Sequence, residues 1–167
     1  MFRFKDIVMQ DNAGQRARLD AIGRMLSAVD AINLQFTSGT TGSPKAATLT
    51  HRNVVNNARF VANSMRLNHK DRLCIPVPLY HCFGMVLGNL ACVSTGSTMV
   101  FPGEGFDPLQ TLQTMHQERC TGVHGVPTMF NAMVNRPDIG EFDLRTLRTG
   151  IMAGAPCPIE LMKRVVS

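Results

Sequence analysis

The 167-residue sequence has no tryptophan and one tyrosine, and aromatic residues make up only 6% of it. Proteins that bind single-stranded nucleic acid need aromatic side chains on which bases stack, together with a groove lined by basic residues. The formal net charge is +5, which suits anionic ligands, but the basic residues are scattered along the chain. We therefore expect no nucleic-acid partner. Arg16, Arg18 and Arg24 are interpreted as a solvated helix face.

Long apolar runs are also missing, since none approaches the roughly 20 residues that a membrane-spanning helix needs. The first ten residues, MFRFKDIVMQ, are not followed by the apolar segment and small-residue cleavage site of a secretory signal. We therefore expect no transmembrane segment and a cytoplasmic location. The hydrophobic content of 44% is typical of a globular protein, and the length suits one domain.

The cysteines form no CxxC pair, the spacing that is typical of zinc sites. There are five of them, an odd number, and several lie in apolar stretches: Cys74, Cys82, Cys92, Cys120 and Cys157. We interpret them as reduced, buried and mostly unreactive thiols. His81 and Cys82 are adjacent and would point apart on a regular element, so the sequence predicts no metal site.

Hydrophobic periodicity predicts the order of helices and strands. It indicates a helix over 14–29, a hairpin of strands 32–37 and 46–50, and a helix that follows Thr50 as N-cap and runs to about 67. Beyond it strands alternate with helices, and the predicted strands are 72–78, 97–103, 121–126 and 147–154. Such alternation is typical of an α/β fold with βαβ crossovers and a mainly parallel sheet.

In a parallel sheet, ligands bind beyond the carboxyl ends of the strands. Three loops are candidate ligand sites for this reason: PLYHCFG at 78–84, HGVPTMF at 124–130 and MAGAPCP at 152–158. A fourth loop joins the two strands of the predicted hairpin. It offers hydroxyl groups, glycines and one lysine, at Thr37, Ser38, Gly39, Thr40, Thr41, Gly42, Ser43 and Lys45. Phosphate groups favour such a set of donors beside one cation.

Two other interpretations of this loop are disfavoured by its residues. A Walker A loop requires glycine before the lysine and a hydroxyl residue after it, where this chain has Pro44 and Ala46. A Walker lysine also begins a helix, whereas Lys45 leads into a predicted strand. A flexible linker is disfavoured because the segment runs directly between two apolar strands.

The stretch FTSGTTGSPKAAT resembles the signature phosphate loop of the adenylate-forming superfamily, which includes acyl-CoA synthetases, beetle luciferases and adenylation domains of nonribosomal peptide synthetases. PLYHCFGM, HGVPTMF and AGAPCP resemble further segments of that superfamily in the same order. From about Ile32 onward the chain is similar in character to medium-chain fatty acyl-CoA synthetases. Residues 1–31 are interpreted as a helical lead-in, and 32–167 as part of the AMP-binding domain.

The resemblance implies that a carboxylate attacks the α-phosphate of ATP and that the acyl group then passes to coenzyme A. Small-molecule partners follow: ATP with Mg²⁺, a fatty acid and coenzyme A. It also implies roles for particular residues. The β- and γ-phosphates would be held by Thr37, Ser38, Gly39, Thr40, Thr41, Gly42 and Lys45. His81 would lie beside the substrate carboxylate and the α-phosphate, and Gly154, Ala155 and Pro156 would line the adenine site.

The chain departs from the pattern of the superfamily in two respects. Ala46 stands where the family usually has glycine, which matters only if that position requires a positive φ. The sequence also stops before the family's Tyr-Gly-x-Thr-Glu motif, whose acidic residue helps to hold magnesium, and before the mobile C-terminal domain. We therefore expect the chain alone to be inactive or nearly so, with sheet edges exposed to association.

Three hypotheses follow from the sequence. The first is part of an ATP-dependent fatty acyl-CoA ligase. The second is a module that binds a nucleotide or a partner chain without catalysis, and complementation by a chain with the missing motifs would favour it. The third is an unrelated phosphate-binding α/β protein, which would turn over ATP without a carboxylate.

Overall fold

The computed structural model describes residues 13–37, 42 and 44–167. They belong to two compact units, Met1–Arg52 and Asn53–Ser167, and each unit is described by itself. In the first unit, helix α1 (Ala13–Met25) precedes strands β1 (Ala31–Thr37) and β2 (Lys45–Thr50). The two strands pair antiparallel as the predicted hairpin.

The second unit is built on a parallel sheet. Its strands are β3 (Arg72–Cys74), β4 (Thr98–Val100), β5 (Gly122–Gly125) and β6 (Thr149–Met152), in the spatial order β4-β3-β5-β6. Every pairing in this sheet is parallel. The predicted α/β fold with a mainly parallel sheet is confirmed.

Helices connect the strands. Helix α2 (His51–Ser64) begins directly after Thr50, and the boundary between the two units falls in its first turn. A π-helix (Phe83–Leu90) and helix α3 (Ala91–Thr95) follow β3, and α4 (Pro108–Gln117) follows β4. Helix α5 (Pro127–Val134) and a short 3₁₀ helix (Ile139–Glu141) lie between β5 and β6, and α6 (Ile159–Val166) comes last. No helix in the part of the chain that the structure describes has the length and apolarity to cross a bilayer.

The hydrophobic core of the second unit lies on both faces of the sheet, because successive side chains of a strand point to opposite faces. Leu73 belongs to one cluster with Ala62 of α2 and Phe83 of the π-helix. Its neighbour Cys74 belongs to the other cluster, with Leu112 of α4 and residues of α5 and α6. Helices therefore cover both faces of the parallel sheet, and the strand ends are left to carry loops.

Two expectations about the cysteines need correction. Cys74, Cys92 and Cys120 are buried as expected, and burial raises the pKa of Cys92 to about 11. Cys157, however, is exposed and Cys82 is only half-buried, because both lie in loops at strand ends rather than inside the core elements.

Candidate active site

The two strands of the hairpin hold the ends of the predicted phosphate loop together. Thr37 closes β1 opposite Lys45, the first residue of β2. The hydroxyl of Thr37 donates a hydrogen bond to the carbonyl of Lys45 at 3.3 Å. Both side chains are exposed, so the hydroxyl and the ammonium group face solvent at the tip of the hairpin. A regular ladder thus places the backbone of Lys45 beside the first hydroxyl group of the loop.

Gly42 is the one glycine of this loop that the structure describes. Its φ of +87° lies in the left-handed region, and the space around its α-carbon is open. A positive φ is costly for residues with a side chain, so the loop turns here because glycine stands at this position. The other predicted phosphate-binding residues lie outside the described residues: Ser38, Gly39, Thr40 and Thr41.

Ala46 does not need the backbone freedom of the glycine it replaces. It lies within β2 and pairs with Phe36 of β1, so its backbone is extended. We predict that Ala46→Gly changes the Kd for ATP, measured by calorimetry, by less than about threefold, since no strain would be relieved. A gain of tenfold or more would contradict the extended assignment.

His81 lies in the loop after β3, at the carboxyl edge of the parallel sheet, and its side chain is exposed. Its Nδ1 accepts a hydrogen bond from the backbone N–H of Phe83 at 3.0 Å. Its own backbone N–H donates to the carbonyl of Pro78 at 3.2 Å, and its carbonyl accepts from the N–H of Met85 at 3.0 Å. A neutral imidazole that accepts at Nδ1 carries its proton at Nε2. His81 is therefore oriented to present an N–H donor.

Cys82 lies closer to His81 than the sequence suggested. Its Sγ is 3.7 Å from Nδ1 of His81, because the two residues stand at the turn into the π-helix rather than on a regular element. The expectation that the side chains point apart was therefore wrong. Within the described ranges, no group of three histidine, cysteine or acidic side chains is arranged to hold a metal ion.

The turn after β6 contains the predicted adenine-side residues. Gly154 has a φ of +87°, and a Cβ on it would lie 3.1 Å from Cγ1 of Val126, in the loop after β5. Ala155 and Pro156 are exposed. The thiol of Cys157 donates to the carbonyl of Met152 at 3.2 Å, a contact that sequence reasoning missed. The glycine therefore permits both a tight turn and a close approach of two loops at the same edge of the sheet.

An apolar cavity of about 270 Å³ opens beside the loop that carries His81. It is bounded by Pro78 and Leu79 before the histidine, by Phe101 and Phe106 after β4, and by Met129 of α5. Met129 lies in the segment HGVPTMF that the sequence singled out, whereas the contribution of the segment after β4 was not identified from the sequence. The lining is mainly apolar but also includes Glu104, and Pro78 and Leu79 connect the cavity to the loop that carries His81.

Sequence reasoning also missed His124, which lies within β5 and is fully buried. Its Nε2 is 3.0 Å from the carbonyl oxygen of Leu87 in the π-helix. Burial lowers the pKa of His124, although the hydrogen bond to Leu87 opposes this effect. A histidine in the otherwise apolar stretch TGVHGV is the signal in the sequence that could have drawn attention to it.

Comparison with known proteins decides the family. Residues 5–167 match the family described as AMP-binding enzyme. The chain belongs to the AMP-binding enzyme family. The resemblance inferred from the phosphate loop is thereby confirmed, whereas the roles of individual site residues stay predictions.

Relatives within the AMP-binding family include the putative acyl-CoA synthetase YngI of Bacillus subtilis, 51% identical over 166 residues, which are 99% of this chain and 30% of the relative. The mitochondrial medium-chain acyl-CoA ligase ACSF2 of Danio rerio is 44% identical over 168 residues, covering 99% of this chain and 28% of the relative. The chain thus spans less than a third of the length of these relatives.

A solved structure of ATP-bound MatB from Rhodopseudomonas palustris has the same fold. It matches with a TM-score of 0.73 and 26% sequence identity, over 83% of this chain and 27% of that protein. The α/β architecture of the described residues is therefore that of an adenylate-forming enzyme.

Proposed function

We propose that this chain supplies part of the active site of an ATP-dependent fatty acyl-CoA ligase. The observation that carries the proposal is Lys45 fixed opposite Thr37 at the base of a loop rich in glycine and hydroxyl residues, in a chain of the AMP-binding family. Support for the acyl substrate comes from the relatives named as acyl-CoA synthetase and medium-chain acyl-CoA ligase. The apolar cavity beside the His81 loop supports an alkyl substrate as well.

The proposed reaction has two steps. In the first, a fatty acid carboxylate attacks the α-phosphate of ATP, pyrophosphate leaves and an acyl-adenylate forms. In the second, the thiol of coenzyme A attacks the acyl carbonyl and AMP leaves. Neither step requires a nucleophile from the protein, so the site acts by holding the reacting groups in position and stabilising charge at phosphorus.

Residues of this chain are assigned to the two ends of the nucleotide. The phosphate loop holds the β- and γ-phosphates through charge-assisted and neutral hydrogen bonds. The residues assigned to this role are Lys45, Thr37 through its hydroxyl, Ser38, Gly39, Thr40, Thr41 and Gly42. His81 donates from Nε2 to an oxygen of the carboxylate or the α-phosphate. The turn Gly154–Ala155–Pro156 lies against the adenine, where small side chains leave room for a flat base. Magnesium accompanies ATP as its counter-ion.

Sheet edges supply a further proposal about association. Strands β4 and β6 are the outer strands of the parallel sheet. An unpaired edge presents backbone N–H and carbonyl groups that another chain can pair with. We propose that either edge can pair with a strand of another polypeptide.

Calorimetric titration with magnesium-ATP and with pyrophosphate tests the phosphate loop. We predict that Lys45→Ala raises the Kd for pyrophosphate roughly ten- to a hundredfold, since it removes a charge-assisted contact. Lys70→Ala is the matched control, because Lys70 is an exposed lysine of the second unit. It should leave the Kd within about twofold. Equal binding by wild type and Lys45→Ala would refute the assignment of the loop.

A further inference from the structure

His124 is a polar side chain in the interior of the protein, and the strand that contains it could form without a hydrogen-bonding side chain at this position. It is fully buried in β5, and its Nε2 is 3.0 Å from the carbonyl oxygen of Leu87. Its ring also lies against Phe83, with ring centroids 5.2 Å apart. A carbonyl oxygen can only accept, so His124 must carry its proton at Nε2. The histidine therefore contacts the π-helix at its first residue, Phe83, and near its middle, at Leu87.

The backbone of the π-helix explains why the contact at Leu87 matters. In an α-helix the N–H of Ala91 would bond to the carbonyl four residues earlier, which is that of Leu87. Here the N–H of Ala91 bonds instead to the carbonyls of Val86 and Gly88. The imidazole of His124 donates to the Leu87 carbonyl, which does not accept from the N–H of Ala91 in this register. A side chain of β5 thus stabilises the wider turn over the α-helical alternative.

Phe83 links this contact to His81. The N–H of Phe83 donates to Nδ1 of His81, and the ring of Phe83 packs against His124. The N–H of Met85, in the same turn, donates to the carbonyl of His81. If the segment from Phe83 to Leu90 changed its register, the donor that orients the His81 ring would move with it. Phe83 therefore contacts both imidazoles, one through its backbone N–H and the other through its ring.

We propose that His124 is a positioning residue, which fixes the π-helical register of Phe83–Leu90 and thereby orients His81 toward substrate. The inference rests on the proposed function for the role of His81 at the acyl carboxylate. The fixed register itself is a property of the second unit and can be tested without any substrate. Removal of the donor at His124 should loosen the segment and release His81 while the rest of the unit stays folded.

A spectroscopic test on the wild-type chain requires no substitution. Long-range ¹H–¹⁵N correlation spectra of the histidine side chains distinguish the two neutral tautomers. We expect His124 to be neutral, protonated at Nε2 and unprotonated at Nδ1, with an Nε2–H proton that exchanges slowly with water. An Nδ1–H tautomer at His124, or an Nε2–H that exchanges as fast as that of an exposed histidine, would overturn the proposal.

Three variants test the positioning role by amide hydrogen exchange. His124→Phe keeps an aromatic ring but removes the donor, so the amides of Phe83–Leu90 should exchange about tenfold faster or more. The His81 ring nitrogens should move toward the shifts of a free imidazole. His124→Gln retains an N–H donor of similar reach and should restore both readouts to within about threefold. His116→Phe is the control, because His116 also accepts a backbone N–H and contacts a phenylalanine ring.

The outcomes separate positioning from function. The proposal would be overturned if His124→Phe left both the amide exchange rates of Phe83–Leu90 and the His81 ring shifts unchanged. It would also be overturned if His124→Gln changed both readouts as much as His124→Phe does. A non-hydrolysable acyl-sulfamoyl adenosine, a mimic of the acyl-adenylate, provides the functional readout. Its Kd should rise about tenfold in His124→Phe and stay near wild type in His124→Gln. Failure of the wild type to bind it would refute the proposed function, while the exchange comparison still decides the role of His124.

Discussion

Replacement of Asp71 with alanine should lower the free energy of unfolding by about 3 kcal/mol, because it leaves a partly buried guanidinium without its carboxylate. The side chain of Asp71 is 3% exposed and that of Arg148 is 40% exposed. Arg148 donates to the two carboxylate oxygens from Nε at 3.1 Å and from Nη2 at 2.5 Å. Urea unfolding followed by circular dichroism would measure the loss.

Further donors make this carboxylate difficult to replace. Thr121 donates to it at 2.7 Å, and Asn68 donates from both its backbone and its side chain, at 2.9 and 2.8 Å. Arg148 in turn donates to the carbonyls of Met65 and Arg66 after α2. The network therefore ties the amino ends of β3, β5 and β6 to the end of a helix.

The environment of Asp71 predicts that the contribution of this residue to stability depends on pH. Burial raises the pKa of Asp71, but the hydrogen bonds from Arg148, Thr121 and Asn68 outweigh it, so the pKa lies below its usual value. A carboxyl group whose pKa is lowered by folding stabilises the protein above the unfolded pKa, about 4. That contribution is lost as the pH falls through the folded pKa. The stability difference between wild type and Asp71→Asn should therefore shrink below about pH 4.

An exposed ion pair supplies the control for Asp71. Glu160 accepts from Lys163 at 2.8 Å, and both side chains are largely exposed. Glu160→Ala should change the free energy of unfolding by less than about 0.5 kcal/mol. If Asp71→Ala cost no more than Glu160→Ala, the structural role assigned to the buried pair would be wrong.

Replacement of Gly84 with alanine should cost about 2 to 3 kcal/mol of stability and also disturb His81, since overpacking of a tight contact forces backbone to move. A Cβ on Gly84 would lie 2.4 Å from the carbonyl oxygen of Pro78 and 2.9 Å from its carbon. These are backbone atoms of the loop that leads to His81, so no side chain can rotate to relieve the overlap. Urea unfolding and the His81 ring shifts would report the two effects.

Gly140→Ala is the matched control for this substitution. A Cβ on Gly140 would meet nothing within 4 Å, and its φ is not in the left-handed region. It should leave stability within about 0.5 kcal/mol of wild type or raise it slightly, because alanine restricts the unfolded chain. A wild-type stability for Gly84→Ala would contradict the close packing of the π-helix against the loop.

Much of the fold could be predicted from hydrophobic periodicity and from glycine and proline positions. The hairpin and the order of the strands follow from such local patterns. The strand predicted over 72–78 pairs only as far as Cys74, although the N–H of Ile75 still donates to Val100. Pro76 and Pro78 lack the N–H that would continue the ladder. The prolines therefore end the ladder earlier than the hydrophobic pattern of the segment predicts.

Contacts between distant residues could not be predicted in this way. The helical segment between β3 and β4 divides into a π-helix and α3, because its register depends on His124, 37 positions after Leu87. Arg148 and Asp71 are 77 positions apart, and no periodicity connects them. The candidate site residues could be proposed because a long motif marks the loop, whereas the apolar cavity arises from the meeting of three separate segments.

Acid-dependent exchange of pyrophosphate into ATP tests the central claim most directly. The assay would use a chimera in which this chain replaces the matching 28% of the Danio rerio medium-chain acyl-CoA ligase, to which it is 44% identical. We predict exchange that requires a medium-chain fatty acid and falls roughly ten- to a hundredfold with Lys45→Ala. A folded chimera that catalyses no exchange with any fatty acid, while the host enzyme does, would contradict the proposal that this chain forms part of a fatty acyl-CoA ligase site.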